Sequence, residues 1–195
     1  MSRVCLFFGS NVGTRPAYAQ AAVEFGRAVA ARRMGLVYGG GSVGLMSIAA
    51  EAALAAGGEV IGVITEQLKL REVGHPGLSA LHVVPTMHER KALMANLADS
   101  FVALPGGFGT FDELCEMATW DQLGIHCKPL VILNVESYFD HFLAQIDRGV
   151  DDGFLKPGHR TMLAVARTVE GAFEAIAAWQ APPAPAGTRL AVPKP

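Results

Sequence analysis

The chain has 195 residues, 51% hydrophobic and only 17% charged, with Lys+Arg 16 against Asp+Glu 18 for a formal net charge of -2. So apolar a chain is not disordered, its length suits one domain, and without a basic excess a nucleic acid polymer is not the expected partner. The three cysteines and six histidines fit no zinc-knuckle, CxxC or HExxH spacing, so no metal is expected.

In chain order, residues 4–8 form a first apolar run, which reads as a strand and not as a signal peptide. A helical stretch follows over 16–33, with Pro16 suited to a first helical turn. Then come a strand at 36–38, a helix at 43–56 and strands at 60–64 and 81–84. A helix at 86–98, a strand at 101–104 and a helix at 110–123 continue the alternation. The strand at 130–133, the helix at 138–149, the strand at 162–165 and the helix at 169–179 complete it. Strands alternating with helices predict a doubly wound, Rossmann-like α/β fold, with a parallel sheet of six or seven strands and helices on both faces. One domain over residues 1–180 is expected, followed by a Pro/Ala-rich tail, 181–195, that is not expected to pack. Cys5 and Cys115 lie in apolar runs and read as buried thiols. No apolar run reaches the roughly 18 residues of a membrane span, which points to a cytoplasmic protein without a membrane partner.

Of the 22 glycines, nine fall in three turns that follow strands. The first turn is Gly9-Ser10-Asn11-Val12-Gly13. The second is Tyr38-Gly39-Gly40-Gly41-Ser42-Val43-Gly44-Leu45-Met46. The third is Leu104-Pro105-Gly106-Gly107-Phe108-Gly109-Thr110. In a parallel sheet these turns share the carboxyl edge, where ligands bind. Glycine there lets backbone N–H groups approach an anion, and the next helix N-terminus adds partial positive charge. Gly39, Gly41 and Gly44 match GxGxxG, and Glu66 stands loosely where a dinucleotide site would place a ribose-binding acid. No GxxxxGK[ST] occurs. The expected ligand is a mononucleotide or a sugar phosphate.

Thr110 and Glu113 carry two readings. One is a capping box that merely starts a helix. The other puts the Glu113 carboxylate beside the ligand, to bind sugar hydroxyls or polarise water. Glu116 reads as a supporting or surface carboxylate. Met87-His88-Glu89-Arg90-Lys91 opens the preceding helix, where basic charge opposes the macrodipole unless an anion lies nearby.

These motifs carry a family resemblance. Pro105-Gly106-Gly107-Phe108-Gly109-Thr110-Phe111-Asp112-Glu113 resembles the PGGxGTxxE signature of the LOG ("lonely guy") family, often labelled lysine decarboxylase-like. The segment Met87-His88-Glu89-Arg90-Lys91 is similar to its MHxRK, and the second glycine turn to its YGGGxxGLM. The resemblance implies hydrolysis of the N-glycosidic bond of an adenine nucleoside 5′-monophosphate, a cytokinin riboside monophosphate or AMP, with no cofactor. It implies Arg90 and Glu113 as the catalytic pair, and Glu72, Lys91, Thr119 and the turn of residues 107–113 as substrate-binding positions. A homodimer is implied as well. Phe108 replaces a common tyrosine and Phe8 a common cysteine.

Together these readings predict that residues 106–110 hold the 5′-phosphate, helped by Gly40, Gly41 and Ser10. Glu113 would stabilise an oxocarbenium-like sugar and orient water, with Arg90 paired to the phosphate or to Glu113. Two alternatives stand beside this. One is a nucleotide or cofactor carrier on the same fold. The other is a lysine decarboxylase, for which none of the five lysines is an evident Schiff-base candidate.

Overall fold

Seven short apolar segments pair into a single parallel sheet, and the order in which they pair creates the site. The structure is a computed structural model and describes residues 1–72 and 74–180. The strands are β1 (Arg3–Phe7), β2 (Gly35–Tyr38), β3 (Glu59–Thr65), β4 (Ala80–Val84), β5 (Ser100–Ala103), β6 (Leu130–Leu133) and β7 (Leu163–Ala166). Their order is β4-β3-β2-β1-β5-β6-β7, parallel throughout. The chain builds outward from β1 in one direction, then crosses back to start again at β5. The β1/β5 boundary is therefore the switch point, where the turns after two neighbouring strands diverge and leave a crevice.

Alternation along each strand divides the core into two layers. Val4 and Leu6 face α1 (Pro16–Ala31), α2 (Gly44–Ala55) and α8 (Val169–Ala178). Cys5 and Phe7 face α4 (Met87–Leu97), α5 (Phe108–Gln122) and α6 (Asp140–Asp151). Burial on both faces explains why the strands read as continuous apolar runs. Pro16 does begin α1, and threonines cap two other helices, Thr86 accepting from Glu89 N and Thr168 from Gly171 N.

Three short elements went unforeseen: α3 (Glu66–Glu72), α7 (Pro157–Arg160) and a 3₁₀ turn over Val135–Ser137. Each is too short to show a helical period. Glu66 opens α3 on the surface. Cys5 is buried as expected, but Cys115 is exposed, because it lies on the outward side of α5. The tail 181–195 lies outside the described residues, and no described helix is long and apolar enough to cross a membrane.

Candidate active site

Backbone hydrogen bonds knit the three glycine turns together at the switch point. Gly9 N donates to Pro105 O at 3.2 Å, and Leu45 N at the start of α2 donates to Gly9 O at 3.1 Å. Beneath them opens a cleft of about 240 Å³ that holds Arg90 and Glu113, with Ser10 and residues 107–110 as one wall. Leu68, Met87 and Phe108 make its mouth apolar, and the Phe108 ring is 93% exposed there.

Arg90 projects from the first turn of α4 into the ends of two strands. Its Nε donates to Val63 O at 3.0 Å and its Nη2 to Gly39 O at 3.2 Å. A Cβ on Gly39 would lie 1.8 Å from that Nη2, so this glycine is the seat of the guanidinium. The remaining nitrogen, Nη1, faces Glu113 Oε1 at 3.6 Å. Two carbonyls and a carboxylate thus satisfy a buried cation that would otherwise be costly.

Glu113 reaches the same point from the second turn of α5. Burial pushes its pKa up to about 7, against the opposing pull of Arg90 and with a smaller upward push from Asp112. A carboxylate poised near neutrality can exchange protons at working pH.

The helix that carries Glu113 starts earlier than the capping-box reading requires. Gly107 is its N-cap and makes no side-chain cap bond, so Thr110 is already inside the first turn. The Thr110 hydroxyl is buried, lines the cleft and has no hydrogen-bond partner. Thr110 and Glu113 are therefore not a capping box. The N–H groups of the first turn have no intrahelical partner and are left for a ligand. An added Cβ at Gly107 or Gly109 would meet nothing within 4 Å. Packing does not require glycine there, although glycine in a first helical turn costs stability.

The profile of the family described as possible lysine decarboxylases matches residues 46–176. A probable cytokinin riboside 5′-monophosphate phosphoribohydrolase of Oryza sativa subsp. japonica is 52% identical over 158 residues, covering 81% of this chain and 70% of that protein. The chain belongs to the LOG family. Other members similar to this LOG chain are cytokinin riboside 5′-monophosphate phosphoribohydrolases of Arabidopsis thaliana and Rhodococcoides fascians. The first is 47% identical, covering 83% of this chain and 74% of that protein. The second is also 47% identical, covering 89% and 88%. Among solved structures, a molybdenum cofactor carrier protein from Chlamydomonas reinhardtii superimposes with a TM-score of 0.69 at 23% identity, covering 90% of this chain and 96% of that one. That likeness is one of fold.

Not every residue expected at the LOG site arrives there. Lys91 turns away from the cleft, its ammonium paired with Asp112 at 3.0 Å and Glu116 at 3.1 Å. It clamps α4 to α5. Gly40 packs tightly under Leu81 and Ile64, and Gly41 bridges to Gly74 while its carbonyl accepts from the Tyr38 hydroxyl. Neither lines the cleft, which this turn reaches through Met46, while Gly39 O holds Arg90 from behind. Thr119 lies on the outward side of α5, donating to Cys115 O at 2.8 Å, and borders an apolar depression with Phe142 and Ile146. The Glu72 side chain lies outside the described residues. Gly39, Met46, Leu68 and Met87 were not foreseen as site residues. Gly39, Met46 and Met87 lie within the motifs quoted from the sequence, whereas Leu68 had no sequence cue.

Proposed function

We infer that this chain hydrolyses the N-glycosidic bond of an adenine nucleoside 5′-monophosphate, releasing free base and ribose 5-phosphate. The observation that carries the reading is the buried carboxylate of Glu113, raised to about 7, directly below a glycine turn whose backbone has room for an anion. Relatives up to 52% identical are named as cytokinin riboside 5′-monophosphate phosphoribohydrolases, which supports it.

In this reading the 5′-phosphate accepts from the first-turn N–H groups of α5 and from the Thr110 hydroxyl, with Ser10 opposite. That anchor sets the ribose over Glu113. As the bond between C1′ and the purine nitrogen breaks, its electron pair leaves with the base, and the sugar acquires oxocarbenium character. The Glu113 carboxylate stabilises that charge and takes a proton from the water that adds to C1′. The purine nitrogen gains a proton from solvent. Arg90, fixed on Val63 O and Gly39 O, holds Glu113 in register. The apolar mouth of Leu68, Met87 and Phe108 favours a base carrying an apolar N6 substituent over AMP itself. A cytoplasmic homodimer is part of the proposal; light scattering measures the mass.

The family's decarboxylase label does not fit this site. Such chemistry needs a lysine to hold pyridoxal phosphate, and none of Lys69, Lys91, Lys128 and Lys156 lines the cleft. A carrier would have no use for a carboxylate poised near neutrality beside a fixed arginine. The test is incubation with AMP and with N6-isopentenyladenosine 5′-monophosphate, followed by chromatography of the free base. Release from both, faster from the substituted nucleotide, is expected. Binding without product from either contradicts the hydrolase.

A further inference from the structure

A second cavity, of about 210 Å³, lies on the other side of the turns at Gly9 and Gly106, walled by Tyr18, Leu45 and Tyr138. Tyr138 is held there firmly. The two residues before it, Glu136 and Ser137, have φ of 52° and 58°, a left-handed backbone that side-chain-bearing residues rarely adopt. Glu136 is tied to Arg15 at 3.1 Å. The Tyr138 ring stacks on Phe111 at 6.5 Å and meets Tyr18 edge-on at 5.8 Å. So placed, its hydroxyl donates to Gly106 O.

The consequence follows from peptide geometry. A trans peptide directs its C=O and N–H to opposite sides. With Gly106 O drawn toward Tyr138, the N–H of Gly107 is directed the other way, away from Tyr138, and Gly107 stands on the wall shared by this cavity and the cleft of Arg90 and Glu113. A peptide between two glycines is the kind whose plane turns over most cheaply. The fold cannot stiffen it from within, because a Cβ on Gly106 would lie 2.0 Å from Thr110 Oγ1 and 2.7 Å from Gly9 N. Stiffness has to come from outside the turn.

We propose that Tyr138 is a positioning residue for the substrate phosphate, its hydroxyl latching the peptide that joins Gly106 and Gly107 so that the Gly107 N–H stays aimed at the anion. The inference rests on reading the cleft as a nucleotide 5′-phosphate site. It assigns to the loop after β6 a part in binding, although that loop touches no substrate.

Tyr138→Phe removes the hydroxyl and keeps the ring packing. Titration calorimetry with AMP, inorganic phosphate and adenosine, on Glu113→Gln with and without this second substitution so that AMP is not consumed, separates the possibilities. The dissociation constants for AMP and phosphate are expected to rise about tenfold, the effect of one lost hydrogen bond. That for adenosine should stay within about twofold, and the melting temperature should not move. In turnover by Tyr138→Phe alone, KM carries the change and kcat does not. Unchanged AMP and phosphate binding overturns the latch, and so does a parallel loss for adenosine, which marks a merely structural role. AMP bound equally by both proteins removes the latch alone. Failure of Glu113→Gln to bind either AMP or phosphate removes the underlying phosphate site with it.

Discussion

Arg90 Nη1 and Glu113 Oε1 face each other across 3.6 Å at the base of the cleft, each side chain no more than a tenth exposed. The pair is unequal. Arg90 is also anchored on two strand-end carbonyls, whereas burial outweighs the pull of Arg90 on Glu113 and leaves that carboxyl titrating near 7. One partner is thus a fixed cation and the other an adjustable base.

That inequality sets a pH dependence. Glu113 is protonated below its raised pKa and cannot then take a proton or stabilise positive charge. Activity should therefore be lost as pH falls through about 7 and be fully present above it. The profile of kcat/KM between pH 5 and pH 9, which reports the free enzyme, should show one acidic limb with its midpoint near 7. A flat profile, or one that falls between pH 6 and pH 8, contradicts the role of Glu113 as base.

Gly39→Ala tests the seat of the arginine. The new Cβ would fall 1.8 Å from Arg90 Nη2, so the guanidinium must shift and Glu113 loses its partner's placement. A misplacement of about 1 Å can cost about 100-fold, and a fall of that order in kcat/KM is expected. Steady-state kinetics beside a melting curve checks it. A variant with wild-type turnover would mean that Arg90 is free to reposition.

A stability prediction comes from the helix ends. In α2, Gly57 N donates to Leu54 O and Gly58 N to Ala53 O, with Gly57 at φ +77°. The same Schellman pattern ends α1, where Arg33 N donates to Ala30 O and Met34 N to Val29 O, but Arg33 itself sits at φ 54°. A side-chain-bearing residue there costs about 1–2 kcal/mol that glycine avoids. Arg33→Gly should raise the melting temperature by about 2–4 °C or more for a chain of this size. A lower melting temperature would show that the exposed Arg33 side chain contributes more than its backbone costs.

Much of the fold was legible because the strands are short, apolar on both faces and followed by turn residues. All seven expected strands exist within two residues of their predicted ends, and Pro16 marked the start of α1. What escaped was decided by contacts distant in sequence. Thr110 looks like a cap because Glu113 stands three residues later, yet the helix begins at Phe108. Lys91 lies next to Arg90 in the chain and points elsewhere, because Asp112 and Glu116 on α5 hold it. The seat at Gly39 appears only when β2 and α4 come together. Tyr138 follows two residues with left-handed backbone that no local pattern announces.

The most direct measurement of the central claim is base release by Glu113→Gln. The amide preserves the shape of the side chain but cannot accept a proton or offset an oxocarbenium charge. With the wild type and the variant incubated side by side with AMP and with the N6-substituted nucleotide, free base should fall by about 100-fold to 10,000-fold, the usual range for a lost acid–base group. Calorimetry should still find the nucleotide bound within a few-fold of wild-type affinity. Base release by Glu113→Gln at the wild-type rate would contradict the assignment of this carboxylate to the chemistry.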